Sequence, residues 1–312
     1  MWNGGIPVRR SRGLSRNIHE ILQISKELST DEVRELADKR FRIALVGSAM
    51  RTHDVAEQLL EGLPLPERER SRAFLMCSST VPPEPVDILI DCGGAEEPLL
   101  GEHYTWLLPE HGVLVVKRIV SDLPGLAIAL ARRFPIFREP AIEYLIKEAS
   151  RVNGQIAMLS AIPGVIPIAS MFLPPAAVAD IVLLTKNQIL LLLKIAAALG
   201  LSYHTRDRLK EIVPVVAGAM GWRSLAREFV GIVPGGVGVL VKGAIAYAGT
   251  YVVGKSAYWF WTTGEHLSRK QKEKLYRQML EEATRMLTPP SVENKPNTER
   301  EETSAPDHRE EV

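Results

Sequence analysis

A chain of 312 residues that carries only two cysteines, Cys77 and Cys92, and no Cys-x-x-Cys pair has little room for cysteine chemistry. A disulfide framework and a thiolate zinc site are both excluded. Each cysteine stands at the end of an expected strand, so the two read as reduced core thiols in a reducing compartment. Metal-ligand spacing is also missing among His19, His53, His103, His111, His204, His266 and His308. His103 and His111 share one loop, where a solvent-facing histidine is the ordinary state. There is no Gly-x-Ser-x-Gly nucleophile elbow. The opening MWNGGIPVRRSRGL lacks the apolar core of a secretory signal, which leaves the N-terminal half expected in the cytoplasm. A formal net charge of +1 leaves no face committed to phosphate, so nucleic acid is not an expected partner. No catalytic, cofactor-binding or metal-ligating residue is assigned on these grounds, and the chain does not read as an enzyme.

What is present is uneven. Arg9, Arg10, Arg12 and Arg16 make a basic arm with no acid among them, and residues 1–40 otherwise read as two short helices, Asn17 to Leu28 and Asp31 to Arg40. At the other end, residues 289–312 are Pro-, Glu- and Thr-rich and acidic, as expected of a disordered tail, after a helix at 266–288. Four short apolar runs follow the arm: FRIALV (41–46), RAFLMC (72–77), VDILID (86–91) and VLVV (113–116). They lack strict alternation, as strands buried on both faces do, so residues 41–150 predict a small α/β layer with a mostly parallel sheet.

The first run ends at Gly47, where a phosphate-binding loop would begin. Such a loop needs Gly, four residues, then Gly-Lys-Ser/Thr, so that backbone N–H groups, an ammonium and a hydroxyl all meet phosphate and magnesium. The last three places here hold Thr52, His53 and Asp54, and the sequence places the Asp54 carboxylate at the helix start, where it would cap free N–H groups and repel phosphate. Asp91-Cys92-Gly93-Gly94 fits an Asp-x-x-Gly loop, and nothing matches the guanine-reading Asn-Lys-x-Asp. The layer therefore reads as a degenerate, P-loop-like fold without a bound nucleotide.

From Ile156 to Leu201 and again from Phe229 to Trp261 the composition turns strongly apolar. Each stretch is long enough for a bilayer, which needs about 20 apolar residues per helix. Each opens on a Pro-Gly turn, at Pro163-Gly164 and Pro234-Gly235, and Pro174-Pro175 breaks the first at its tip. Residues 151–265 are thus predicted to form an all-α domain of two helical hairpins in the membrane, the second turning near Lys242. Asp180, Asn187 and Lys194, seven residues apart, share one face of the second helix and predict a polar seam within it. Gly235, Gly236, Gly238, Gly243, Gly249 and Gly254 would allow close helix approach. Tyr258-Trp259-Phe260-Trp261 would sit at the headgroups, and Lys and Arg near the spans predict that both termini face the cytoplasm.

The order and spacing of Arg133-Phe134-Pro135-Ile136-Phe137-Arg138, Leu145-Ile146, Ile162-Pro163-Gly164, Ala179-Asp180, Leu184-Thr185-Lys186-Asn187-Gln188 and Val233-Pro234-Gly235-Gly236-Val237-Gly238 resemble the GTPase-associated bacterial membrane proteins of the YcjF type. Ala248-Gly249-Thr250-Tyr251-Val252-Val253-Gly254-Lys255 continues the likeness, which covers roughly residues 130–265. The resemblance implies that residues 41–120 are a reduced counterpart of a GTPase domain. The combined expectation is a multi-pass protein of the bacterial inner membrane with a cytoplasmic pseudo-GTPase-like domain. It would work with the lipid bilayer and a protein partner, or as a homo-oligomer, in membrane-tethered interaction or envelope-associated regulation. A divergent nucleotide hydrolase and a soluble or peripheral helical interaction module are the alternatives.

Overall fold

The computed structural model describes residues 29–160, 176–204, 208, 211–212 and 238–287. The basic arm, the Asn17–Leu28 helix, both Pro-Gly turns, Pro174-Pro175 and the acidic tail lie outside the described residues.

Ser29 and Thr30 lead into α1, Asp31–Ala37, whose first N–H is accepted by the Ser29 hydroxyl at 3.1 Å. Strand β1, Ile43–Gly47, follows, then helices α2, Ala49–Leu60, and α3, Leu65–Arg72. Strands β2, Leu75–Ser78, β3, Ile88–Gly93, and the two-residue β4, Tyr104–Thr105, complete one sheet in the order β2-β1-β3-β4. Every pairing is parallel, and Ile43 is the partner of both Leu75 and Ile88. All five residues of β1 are buried, which is why its sequence is an unbroken apolar run rather than an alternating one.

VLVV, expected as a fourth short strand, instead lies at the start of helix α4, His111–Asp122. Four apolar residues carry no period of their own. The surrounding pattern decides: Val115, Val116, Ile119 and Val120 are buried at helical spacing, while Val113 and Leu114 stay exposed.

A short 3₁₀ turn leads to α5, Ala127–Arg133, and a second, Pro135–Phe137, leads to α6, Arg138–Leu159. Helices α7, Ala176–Ala198, α8, Gly238–Thr263, and α9, Arg269–Leu287, complete the described fold. Phe134, fully buried at the elbow between α5 and α6, lies 6.2 Å from the Phe41 ring before β1 and 6.3 Å from Phe137. One continuous apolar core runs from the sheet through this elbow into α6, α7 and α8.

That continuity corrects the membrane expectation. No described helix is long and apolar enough to cross a membrane, so the multi-pass inner-membrane topology and its cytoplasmic termini are not supported. Helix α7 is apolar over its C-terminal half because protein packs on it there, while Val182 and Leu183 nearer its start stay exposed. Ile189, Leu191, Leu192, Leu193, Ile195, Ala196, Ala197 and Ala198 are all buried, and α1, α5, α6 and α8 pack on it. A helix apolar all round is either a membrane span or the centre of a core, and residues 189–198 of α7 lie in the core. The turn expected near Lys242 is not formed: α8 runs without a break through Lys242 for 26 residues. The aromatic run at its end does not form a headgroup belt. Trp261 Nε1 donates to Glu211 Oε2 at 2.6 Å, and Phe260 stacks on His266 at 4.5 Å.

Candidate functional site

In an open parallel sheet, ligands bind outside the carboxyl ends of the strands where the strand order reverses. Here that point lies between β1 and β3, and the loops meeting there are the Gly47-Ser48 and Gly93-Gly94 segments named from the sequence. The two are closed on each other. Ser48 N–H donates to the Gly93 carbonyl at 3.0 Å, and a Cβ added to Gly47 would lie 2.5 Å from that same oxygen. Asp91 turns its carboxylate inward to accept the Gly93 N–H at 2.8 Å.

The chain spends no residues on a phosphate loop. Helix α2 begins at Ala49, two residues past Gly47, so the positions that would wrap a phosphate already lie in its first turn. Thr52, in the place of the second glycine, is buried at 3 % exposure and directs its hydroxyl to the Ser48 and Ala49 carbonyls at 3.2 and 3.1 Å. Asp54 is exposed one turn further on and does not cap the helix. That position belongs to Ser48, whose hydroxyl makes no capping bond.

Beside this closure a cleft of about 250 Å³ remains between α2 and the segment before α4. Arg51 spans it, its Nη1 donating to the Leu107 carbonyl at 2.9 Å. Its lip is apolar and open: Met50 is 71 % exposed, Leu108 47 % and Leu107 40 %. Below it Cys92 is inert as a nucleophile, because burial, with the Asp91 charge and Cys77 adding to it, pushes the thiol up to about 12. The two thiols are free, and among the described residues no group of His, Cys, Asp and Glu could hold a metal ion. His103 Nδ1 lies 3.0 Å from the Gly101 carbonyl.

In the helical half, the residues chosen from the sequence part company. Asn187 enters a buried seam, donating Nδ2 to Asn153 Oδ1 at 2.9 Å. Asn153 donates in turn to Thr250 Oγ1 at 2.8 Å, and Gln188 donates to the same hydroxyl at 3.3 Å. Lys194, two turns on from Asn187, leaves the seam and pairs with Glu32 of α1 at 2.7 Å. The Asp180 side chain lies outside the described residues. Lys242, on α8, donates to Ser160 Oγ at 2.7 Å.

A second polar group sits where α6 meets α8. Glu143 accepts Tyr251 OH at 2.7 Å and Lys255 Nζ at 2.8 Å, with Lys147 Nζ at 3.4 Å. Burial pushes the Glu143 carboxyl up, but the hydrogen bonds from Lys255 and Tyr251 and the charges of Lys255 and Lys147 outweigh it and hold the group below its ordinary value. The Tyr251 phenol is moved the other way, raised by burial and by the Glu143 carboxylate, so it is a poor proton donor at neutral pH. Tyr251 and Lys255 share a helix face one turn apart. Their union with Glu143 makes a structural ion cluster, because the carboxyl and the phenol are both moved away from neutrality.

Sequence reasoning missed Asn153, Thr250, Gln188 and Glu143. Asn153 and Thr250 carried a signal, each being a polar residue on an otherwise apolar helix face. Their pairing needed the fold. Comparison of the chain with protein-family models, with curated proteins and with solved structures finds no match.

Proposed function

We propose that this chain is a non-enzymatic interaction module in which an α/β layer of nucleotide-binding type serves as a scaffold rather than a switch. The observation that carries the reading is the start of α2 at Ala49, directly behind a Gly47-Ser48 segment bonded to Gly93. A phosphoryl group needs several free backbone N–H groups around it and a cation beside it. Closing the loops spends the first, and Thr52, His53 and Asp54 offer no cation in place of the lysine. The open apolar lip of Met50, Leu107 and Leu108 beside the closed crevice supports a protein partner, since clustered exposed apolar side chains mark contact surfaces.

Two measurements on the full chain test the reading. Calorimetry with GTP or ATP and magnesium is expected to register no heat, and micromolar binding would favour a divergent hydrolase. A photo-crosslinking amino acid at Leu108 is expected to trap a discrete partner in cells, whereas one at Lys274 on the exposed face of α9 traps none. Equal trapping at both positions would remove the docking assignment.

A further inference from the structure

A groove of about 840 Å³ lies where α4, the Pro135–Phe137 turn, α6 and α8 meet, within the roughly 300–1,000 Å³ span of small-molecule sites. It is separate from the sheet crevice, and its lining has two characters. Val120, Pro135, Ile136, Pro140 and the Tyr144 ring supply apolar wall, and three ammoniums, Lys117, Lys147 and Lys255, face two carboxylates, Glu139 and Glu143. The charges do not cancel locally. Glu143 is saturated by Lys255 and Tyr251, which leaves Lys147 on the longest of its three contacts, at 3.4 Å. Glu139 lies eight residues before Lys147 on α6, about 12 Å along the axis, too far to neutralise it. Lys117 on α4 has no acidic partner within ion-pair distance among the described residues.

We propose that this groove binds a monoanionic amphiphile of the medium-chain carboxylate kind. Lys147 and Lys117 hold its acid group, and its apolar part lies against Val120, Ile136 and Pro140. The chemistry asks for both halves. An acid group alone meets exposed lysines in water, where a single ion pair contributes little, and an apolar chain alone leaves the surplus ammonium charge unmatched. Glu143 is the positioning residue of the site: it fixes Lys255 and Tyr251 at the floor, so Lys147 is the cation left for a ligand.

Titration calorimetry of the full chain, below the micelle concentration, tests this with decanoate, decanol and acetate. Decanoate is expected to bind saturably at one per chain, with decanol and acetate at least tenfold weaker. Lys147→Met and Lys117→Met, which keep much of the apolar stem, are expected to weaken decanoate fivefold or more each. Lys274→Met on α9 is expected to leave it unchanged. Unchanged thermal unfolding of the two groove variants would show that the loss belongs to the site. The absence of saturable decanoate binding overturns the proposal, as does equal binding of decanol or binding that survives both groove substitutions.

Discussion

In the α/β layer each strand is tied to its neighbours by backbone hydrogen bonds, with Ile43 opposite Leu75 on one side and Ile88 on the other. Helices α6, α7 and α8 have no such tie, because a helix satisfies its own backbone. They meet mainly through side chains, with a close backbone approach where Gly154 of α6 faces Gly243 of α8. The distribution of buried polar residues follows this difference. The sheet region buries Thr52 and Ser71, and each hydroxyl bonds to a main-chain carbonyl. The helical region buries Ser150, Asn153, Thr185, Gln188, Thr250 and Ser256, with Asn153 and Thr250 at the centre of a side-chain seam. A ladder sets register through the backbone. A bundle needs polar side chains or small residues to do it, at some cost in stability.

The sharpest way to break the comparison is at the elbow that both regions share. Phe134→Ala is expected to cost about 3–5 kcal/mol by opening a cavity between Phe41 and Phe137. Because the core is continuous there, urea unfolding should stay a single transition, coincident by tryptophan fluorescence and far-ultraviolet circular dichroism. Two separated transitions would mean that sheet and bundle are independent units after all.

Within the bundle, Asn153→Ala is expected to cost about 1–3 kcal/mol, since it strips partners from Asn187 and Thr250 in a buried place. If the seam acts as a unit, the double variant Asn153→Leu with Thr250→Val should cost clearly less than the sum of its singles in chemical denaturation. Additive losses would dissolve the seam into separate contacts.

Two glycines of α8 sharpen the role of small residues. A Cβ at Gly254 would stand 2.6 Å from the Ile146 side chain, so Gly254→Ala is expected to destabilise by about 1–3 kcal/mol. Gly249 meets nothing within 4 Å, and Gly249→Ala should stabilise by up to about 1 kcal/mol through helix propensity alone. Equal thermal shifts in the same direction would show that close approach is not what α8 uses glycine for.

The smallest effect is expected from acid. Glu143 is held below its ordinary value in the folded chain, so its contribution is complete above the unfolded carboxyl value near 4.5 and is lost as pH falls through the lower folded value. Glu143→Gln should flatten the acid limb of stability against pH while leaving the profile above about pH 6 parallel. An unaltered acid limb would remove the cluster from the account.

Much of the sheet was readable in advance. Phe41 to Val46 marks a doubly buried strand, the runs at 72–77 and 86–91 mark its neighbours, and the parallel pairing follows from their composition. The absence of Gly-Lys-Ser/Thr after Gly47 was readable as well, but its structural basis was not. That basis is a helix that starts at once at Ala49, and nothing local distinguishes a loop of Ser48 to Arg51 from a first turn. VLVV failed for a related reason, being too short to show a period. Asn187 could be picked out as polar on an apolar helix, but Asn153, thirty-four residues away, had to be brought to it.

The sequence by itself determined three of the four strands, their parallel sense, the missing Gly-Lys-Ser/Thr after Gly47 and the apolar character of α7. Only the tertiary structure decided what that apolar character is for. Residues 189–198 would look the same facing lipid tails or facing α5, α6 and α8, because hydrophobicity reports the exclusion of water and not the identity of what excludes it. The neighbours of α7 come from elements up to about 160 residues away, such as Glu32 on Lys194, and no local pattern carries that information.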